Sequence, residues 1–402
     1  MKLASGYLSY CTNIHSGESW MDHFEAIKKN FPSIKKEVSP DQPMGIGLRL
    51  SNSASIDLLD PDKIQIFKDW LNDHDAYVFT MNGFPYGDFH HAIVKDQVHA
   101  PDWTSQERLD YTIRLFKILA ELLPEGMEGG ISTSPLSYRH WFSTKEWYEE
   151  AKNRATRNII LVAEQLYQIN LTSGIQLHLD IEPEPDGMLE TGAEFIAWYE
   201  TMLIPMAKSI LAGSLNISEL DAEACIKNHI CLCYDVCHFA IGYEQHSEVL
   251  EQLDKKGIRT GKIQISAALK ADMPADINSR ADIAEAFSKY NEPTYLHQVV
   301  GRNGDHSLIR YRDLPEALAD SKNPMVREWR AHFHVPVFAE NLQLLRSTQS
   351  DIVEVLKMQK SKPFSNHLEV ETYTWEVLPE SLKMPIDQSI IRELNWVKEI
   401  LE

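Results

Sequence analysis

The stretch HLDIEPEPDGMLE, His178 to Glu190, decides how the chain reads. Leu177, Leu179 and Ile181 alternate with His178, Asp180 and Glu182, and Pro183 and Pro185 follow at once. A period of two puts the apolar residues on one face of a β-strand and the polar ones on the other. Neither proline can donate to a ladder hydrogen bond, so the strand stops there, with Glu182 at its carboxyl end. A strand that is apolar on one side and acidic on the other fits a closed parallel sheet. One face meets helices and the other fills an interior.

Seven further apolar segments of strand length surround this one: GYLSYCTNI from Gly6, MGIGLRLS from Met44, AYVFTMNGF from Ala76, GGISTSPL from Gly129, HICLCYDVCHF from His229, KIQISAAL from Lys262 and HLEVETYTW from His367. Helical stretches lie between them, with start signals at Asp60-Pro61, Thr104 with Glu107, and Ser143 with Glu146. Eight alternating βα units predict an α/β fold, a (β/α)8 TIM barrel. Such a barrel needs about 250 residues, and the chain has 402. The excess is expected in a long insertion between strands 7 and 8, about 268–366, covering the carboxyl-terminal mouth of a single domain, 1–402. Within it, TYLHQVVG and AHFHVPVF read as a strand pair and RYRDLPEAL as a helix start.

The same sorting by face turns Cys231, Cys233 and Asp235 inward, then Lys262, Gln264 and Ser266, then His367, Glu369 and Glu371. Glu182, Asp235 and Glu371 each close an inward series at the carboxyl end, where TIM barrels carry their active sites. Three carboxylates crowded there call for a cation or a shared proton. His332 and His334, on one face of AHFHVPVF, and His297 are candidate nitrogen ligands from the insertion. Oxygen ligands with one or two imidazoles describe a divalent metal ion site, for manganese, zinc, magnesium or cobalt. Asp180 and Glu369, deeper in their strands, read as partners of Lys262 or Arg49. Glu184 and Asp186 read as solvated loop charges, and Trp103, Trp141 and Trp375 as core, lid or pocket wall.

Composition removes other classes. A net charge of -20, with 59 acidic against 39 basic residues, disfavours nucleic acid as a partner. No apolar run is long enough for direct membrane insertion, and the first residues lack the pattern of a secretory signal. The 5 cysteines are an odd count for a disulfide framework, and the spacing in CLCYDVCH matches no paired zinc motif. A cytoplasmic, reducing location is expected.

IEPEP, YDVCHF and VETYTW resemble the strand ends of the xylose isomerase-like TIM barrel superfamily, which contains sugar isomerases, keto-sugar epimerases and metal-dependent endonucleases. The DxxH of Asp235 and His238 is the most specific piece. Together, IEPEP, CYDVCHFA, HFHVP and HLEVETYTW are similar to the family called metabolite traffic protein EboE, within that superfamily. The resemblance implies that Glu182, Asp235 and Glu371 are metal ligands, with Gln264 in place of the usual seventh-strand histidine and an insertion histidine, His334 first and then His332 or His297, as its substitute. Glu182 and Glu371 would then move protons, and His238 would touch the substrate or a second metal. The expected activity is a metal-dependent sugar or polyol isomerase or epimerase acting on a small polyhydroxylated or phosphorylated metabolite. The alternative is a non-catalytic metabolite-binding or hand-over protein with partner proteins of a transport pathway. Metal-dependent phosphodiester cleavage comes third, disfavoured by the acidic charge.

Overall fold

The computed structural model describes residues 1–90, 92–380 and 383–402. Its first sheet holds β1 (Lys2–Leu3), β2 (Gly6–Tyr10), β3 (Met44–Arg49), β4 (Ala76–Asn82), β5 (Gly129–Thr133), β6 (Leu177–Ile181), β7 (Ile230–Asp235), β8 (Thr260–Ile265) and, last in the chain, β15 (His367–Val370). Apart from the β1–β2 hairpin, every neighbouring pair in this sheet is parallel. The final strand inserts between β2 and β8, and a parallel bridge from Cys11 to Gly47 links the two remaining edges. The result is a nearly closed TIM barrel. Leu177, Leu179 and Ile181 are wholly buried on its outer face, each worth about 1.5–3 kcal/mol of transfer free energy.

The interior is polar in layers. In the middle, Lys262 Nζ bonds Glu369 Oε1 at 3.0 Å, Met81 O at 2.9 Å and Ser132 Oγ at 3.2 Å, with both charged side chains fully buried. Gly47 is glycine for a steric reason, because a Cβ there would fall on Glu369 Oε2. Asp180 is not held by Lys or Arg as the sequence suggested; it accepts from His178 Nδ1 at 2.6 Å. Arg49 turns away to Glu18, at 2.8 Å.

Between β8 and β15 lies a second, antiparallel sheet: β9 (Ala267–Asp272), β10 (Val299–Asn303), β11 (Leu308–Tyr311), β12 (Val326–Val335), β13 (Asn341–Leu342) and β14 (Leu345–Ser347), in the order β11-β10-β12-β9-β14-β13. This is more than the strand pair expected. KIQISAAL is not one strand but two, broken at Ser266, where the chain passes from the barrel to the second sheet. Two helix starts also move by one residue. Asp102 Oδ1 accepts from the Thr104 N–H and hydroxyl, so Ser105 caps helix Gln106–Leu122. Thr144 rather than Ser143 caps helix Lys145–Ser173. No helix among the described residues is long and apolar enough to cross a membrane.

One buried acid outside the barrel makes stability depend on pH. Glu244 accepts from the Gly192 N–H at 3.0 Å, and burial, with Glu190 and Glu194 nearby, pushes its carboxyl up from 4.5 to about 7. Its folded value exceeds the unfolded one, so its contribution is complete below about 4.5 and is lost as pH rises through about 7. Glu244→Gln keeps an acceptor for Gly192 and cannot ionise. It should gain about 1–2 kcal/mol over wild type at pH 8.5 and nothing at pH 4.5, read from denaturant midpoints.

Candidate metal centre

The carboxyl ends of β6, β7 and β15 and the end of β12 meet at one pocket, lined among others by Asn13, Asn82, Glu182, Glu184, His238, His332, His334 and Glu371. Asp235 lies against it. Ligand atoms of Asp235, His238 and His334 all fall within 4.8 Å of one another, as do those of Glu184, His238 and His332. Glu182 Oε1 is 3.7 Å from His238 Nδ1, and Glu371 Oε2 is 3.7 Å from His334 Nδ1.

The hydrogen bonds fix the tautomers. His238 Nδ1 sits 3.0 Å from Pro183 O, an atom that can only accept, so this nitrogen carries the proton. His332 Nδ1 faces Gln298 Oε1 at 2.9 Å, and Gln298 Nε2 donates to Pro185 O, which pins the amide that way round. His238 Nε2 and His332 Nε2 are therefore both bare lone pairs, pointed at each other across 3.1 Å. His334 Nδ1 lies 3.2 Å from Glu371 O, which leaves its buried Nε2 bare and without a partner. Asp235 Oδ1 accepts from the Ser266 hydroxyl, at 2.6 Å, and from the His238 N–H, while Oδ2 is buried with no donor among the described residues; Glu182 Oε2 is likewise orphaned.

A proton cannot easily serve such a cluster. Burial lowers His238 to about 3 and His334 to about 4 and holds His332 well below its usual value. Burial, then Asp235, pushes Glu371 up to about 8; burial, then Glu371 and Asp235, push Glu182 well above the carboxylate range. Bare imidazole nitrogens whose other nitrogen is tied to a carbonyl or amide oxygen, beside unpaired carboxylate oxygens, are the donor set of a divalent ion. The residues fit the metal.

The sequence expectations divide at this pocket. Glu182, Asp235, Glu371, His238, His334 and His332 are brought together. His297 is not: its Nε2 bonds Glu292 Oε1 at 2.8 Å and its Nδ1 bonds His332 O at 2.8 Å. Gln264 turns its nitrogen, not its oxygen, toward the cluster, donating to Glu182 Oε1 at 3.3 Å while its Oε1 faces Cys233 Sγ. It acts there as a donor to a carboxylate rather than as the oxygen ligand expected. Glu184 and Asp186 are buried, not solvated, and pair with His99 at 3.1 Å and His140 at 2.9 Å. The lining aromatics include Phe84, Phe89, Tyr295 and Tyr373, in place of the tryptophans considered. Trp103 bonds Thr133 Oγ1 in the core.

Asn13 and Asn82 were missed, and both donate to Glu371 Oε1, at 2.7 and 2.9 Å. A bulge in β4 explains Asn82. Ile46 pairs with Val78 but Gly47 with Thr80, so Phe79 is an extra residue and the inward parity switches before Asn82.

A xylose isomerase-like TIM barrel protein from Mycobacterium smegmatis, solved in complex with magnesium, is 9% identical, with 100% of this chain and 98% of that one covered, at a TM-score of 0.50. An IolI protein solved with a zinc atom is 14% identical, with 98% of each chain covered, at a TM-score of 0.46. A D-tagatose 3-epimerase-like protein is 11% identical, with 98% of this chain and 97% of that one covered, at a TM-score of 0.46. The likeness to the mycobacterial protein is one of fold: the two chains share the TIM-barrel architecture. No protein-family model and no curated protein matches the sequence.

Proposed function

We propose that the protein is a metal-dependent isomerase or epimerase of a small, neutral polyhydroxylated metabolite. The observation that carries this reading is the set of bare Nε2 atoms of His238, His332 and His334 beside the unpaired Oδ2 of Asp235, which lies 3.8 Å from His238 Nε2. So many imidazoles favour zinc, manganese or cobalt over magnesium. A bound divalent ion would supply Lewis acidity toward a carbonyl oxygen and its neighbouring hydroxyl. Glu182 and Glu371 flank that position as the acid–base pair. In carboxylate form, one takes a proton from the carbon next to the carbonyl, and the other, held protonated by its raised pKa, returns one. Asn13 and Asn82 orient Glu371 by donating to its Oε1.

The pocket argues against a phosphorylated substrate. Lys95 is the one Lys or Arg on its wall among the described residues, and its Nζ is committed to Asp313 at 2.8 Å. The segment 268–366 acts in this reading as a cover that also delivers the nitrogen ligands. A role in metabolite traffic, with partner proteins, rests on the motif resemblance alone.

The test is solvent-deuterium exchange into candidate ketoses and polyols. Exchange should require the metal and, with metal in saturating excess, should fall about 100- to 10,000-fold in Glu182→Gln, the range general acid–base groups contribute, while Glu371→Gln, which also loses the metal, should abolish it. A protein that binds the sugar tightly without exchange is a carrier, and that result would overturn the enzymatic reading.

A further inference from the structure

The opposite, amino-terminal end of the barrel holds a second set of donors that the proposed chemistry does not use. His178, near the start of β6, is 0% exposed and His367, at the start of β15, is 1% exposed. Glu128 lies just before β5, and one ligand atom from each of the three falls within 4.8 Å of the others. The imidazole rings stand 4.9 Å apart, tilted by 39°.

The tautomers are again fixed by what the rings touch. His178 Nδ1 is 2.6 Å from Asp180 Oδ1, and a neutral ring that donates from Nδ1 to the Asp180 carboxylate leaves Nε2 bare. His367 Nε2 is 3.2 Å from Glu128 O, which only accepts, so Nδ1 is bare. Both bare nitrogens are buried without a partner among the described residues, and leaving a buried polar atom unsatisfied costs about 1–3 kcal/mol. Carboxylate–histidine and carbonyl–histidine contacts of this kind orient metal ligands and raise their basicity. Gly130 and Gly261 keep the space open, because a Cβ at Gly130 would strike the His178 ring and one at Gly261 would strike Asp180.

Charge agrees with the donors. Glu128 receives Arg259 on Oε2 at 2.8 Å and Asn366 on Oε1 at 3.0 Å, but each carboxylate oxygen has a further lone pair to give. Two carboxylates, Glu128 and Asp180, stand against one guanidinium, and Lys262 is already committed to Glu369. A surface depression lined by Tyr7, Glu128, Gln176, Asn366 and His367 reaches this end from solvent.

We propose that Glu128, His178 and His367 form a second metal site, for a zinc ion, distinct from the centre at the carboxyl-terminal mouth. Two imidazoles and a carboxylate suit that borderline ion. The site joins the starts of β5, β6 and β15 on the face of the barrel associated with stability rather than catalysis, so the ion is structural.

Zinc alone, titrated by calorimetry into chelator-washed protein, is the probe. Wild type should take up one zinc more than the mouth accounts for. The variant Asp235→Asn/His334→Ala should lose the mouth site and keep one zinc. Adding His367→Asn to that background should weaken the remaining site more than about 100-fold, and adding Asp180→Asn instead should weaken it by about 10- to 100-fold through the orientation of His178. A folded Asp235→Asn/His334→Ala variant that binds no zinc overturns the proposal, and failure of the mouth site shows separately, as wild type binding no more than this variant. Should a substitution unfold the chain, anomalous diffraction at the zinc edge from zinc-soaked wild-type crystals decides. A peak about 2.0–2.1 Å from His178 Nε2 and His367 Nδ1 supports the site. A bridging water with no anomalous signal there overturns it.

Discussion

Asp235→Asn is expected to abolish metal binding at the carboxyl-terminal mouth and leave the fold standing. Asparagine keeps an Oδ1 for Ser266 Oγ and the His238 N–H, the two donors Asp235 now satisfies. What it removes is Oδ2, the oxygen with no partner. It also removes a charge that burial already disfavours and that raises both Glu182 and Glu371. The metal-free variant should therefore unfold at the wild-type temperature or above it, while its affinity falls by more than the roughly 100-fold typical of losing an outer-shell partner. Glu371→Gln should do the same. Titration of zinc and manganese by calorimetry, paired with thermal unfolding in chelator, reads both quantities. Undiminished mouth binding in the two variants would end the metal-centre reading.

The second large effect lies one layer deeper and is one of stability. Among the described residues, Lys262→Met deletes the only cation bonded to Glu369 and strands a carboxylate whose Oε2 already lacks a donor. Breaking a buried pair from one side costs about 3–5 kcal/mol, because the remaining charge is desolvated and unpaired. The methionine fills the volume of the lysine stem, so the loss measures charge rather than a cavity. Lys262→Met/Glu369→Gln should recover most of it. Denaturant midpoints of the three proteins form the test; equal stability of the single and double variants would show that the pair contributes nothing specific.

The barrel was legible because period-two alternation survives in most of its strands, and because each inward series ends on a residue that sits badly in a core. Glu182, Asp235 and Glu371 could be read by that rule. The rule failed where backbone irregularity breaks parity, as at the β4 bulge that turns Asn82 inward. It had nothing to say about loops. Glu184 follows a strand between two prolines and looks solvated, yet His99 and the residues of the second sheet enclose it. Gln264 was placed on the correct face, but its role depends on which end of an amide points where, and that is set by Cys233 and Glu182 across the barrel. His297 looked like a ligand because His-rich strands share composition with metal sites; Glu292, five residues earlier, claims its ring instead.

The order of the strands also sets an order of assembly. Glu182 and Asp235 come early in synthesis, the imidazoles of β12 arrive about a hundred residues later, and Glu371 follows the strand that slots between β2 and β8. A nascent chain emerging amino terminus first thus holds a gapped barrel and, on the proposed metal-centre reading, an incomplete ligand set until its last strand docks. On that reading, closure of the sheet and arrival of the last carboxylate are the same event, so a product truncated before β15 would lack both, and retained metal would report a finished barrel.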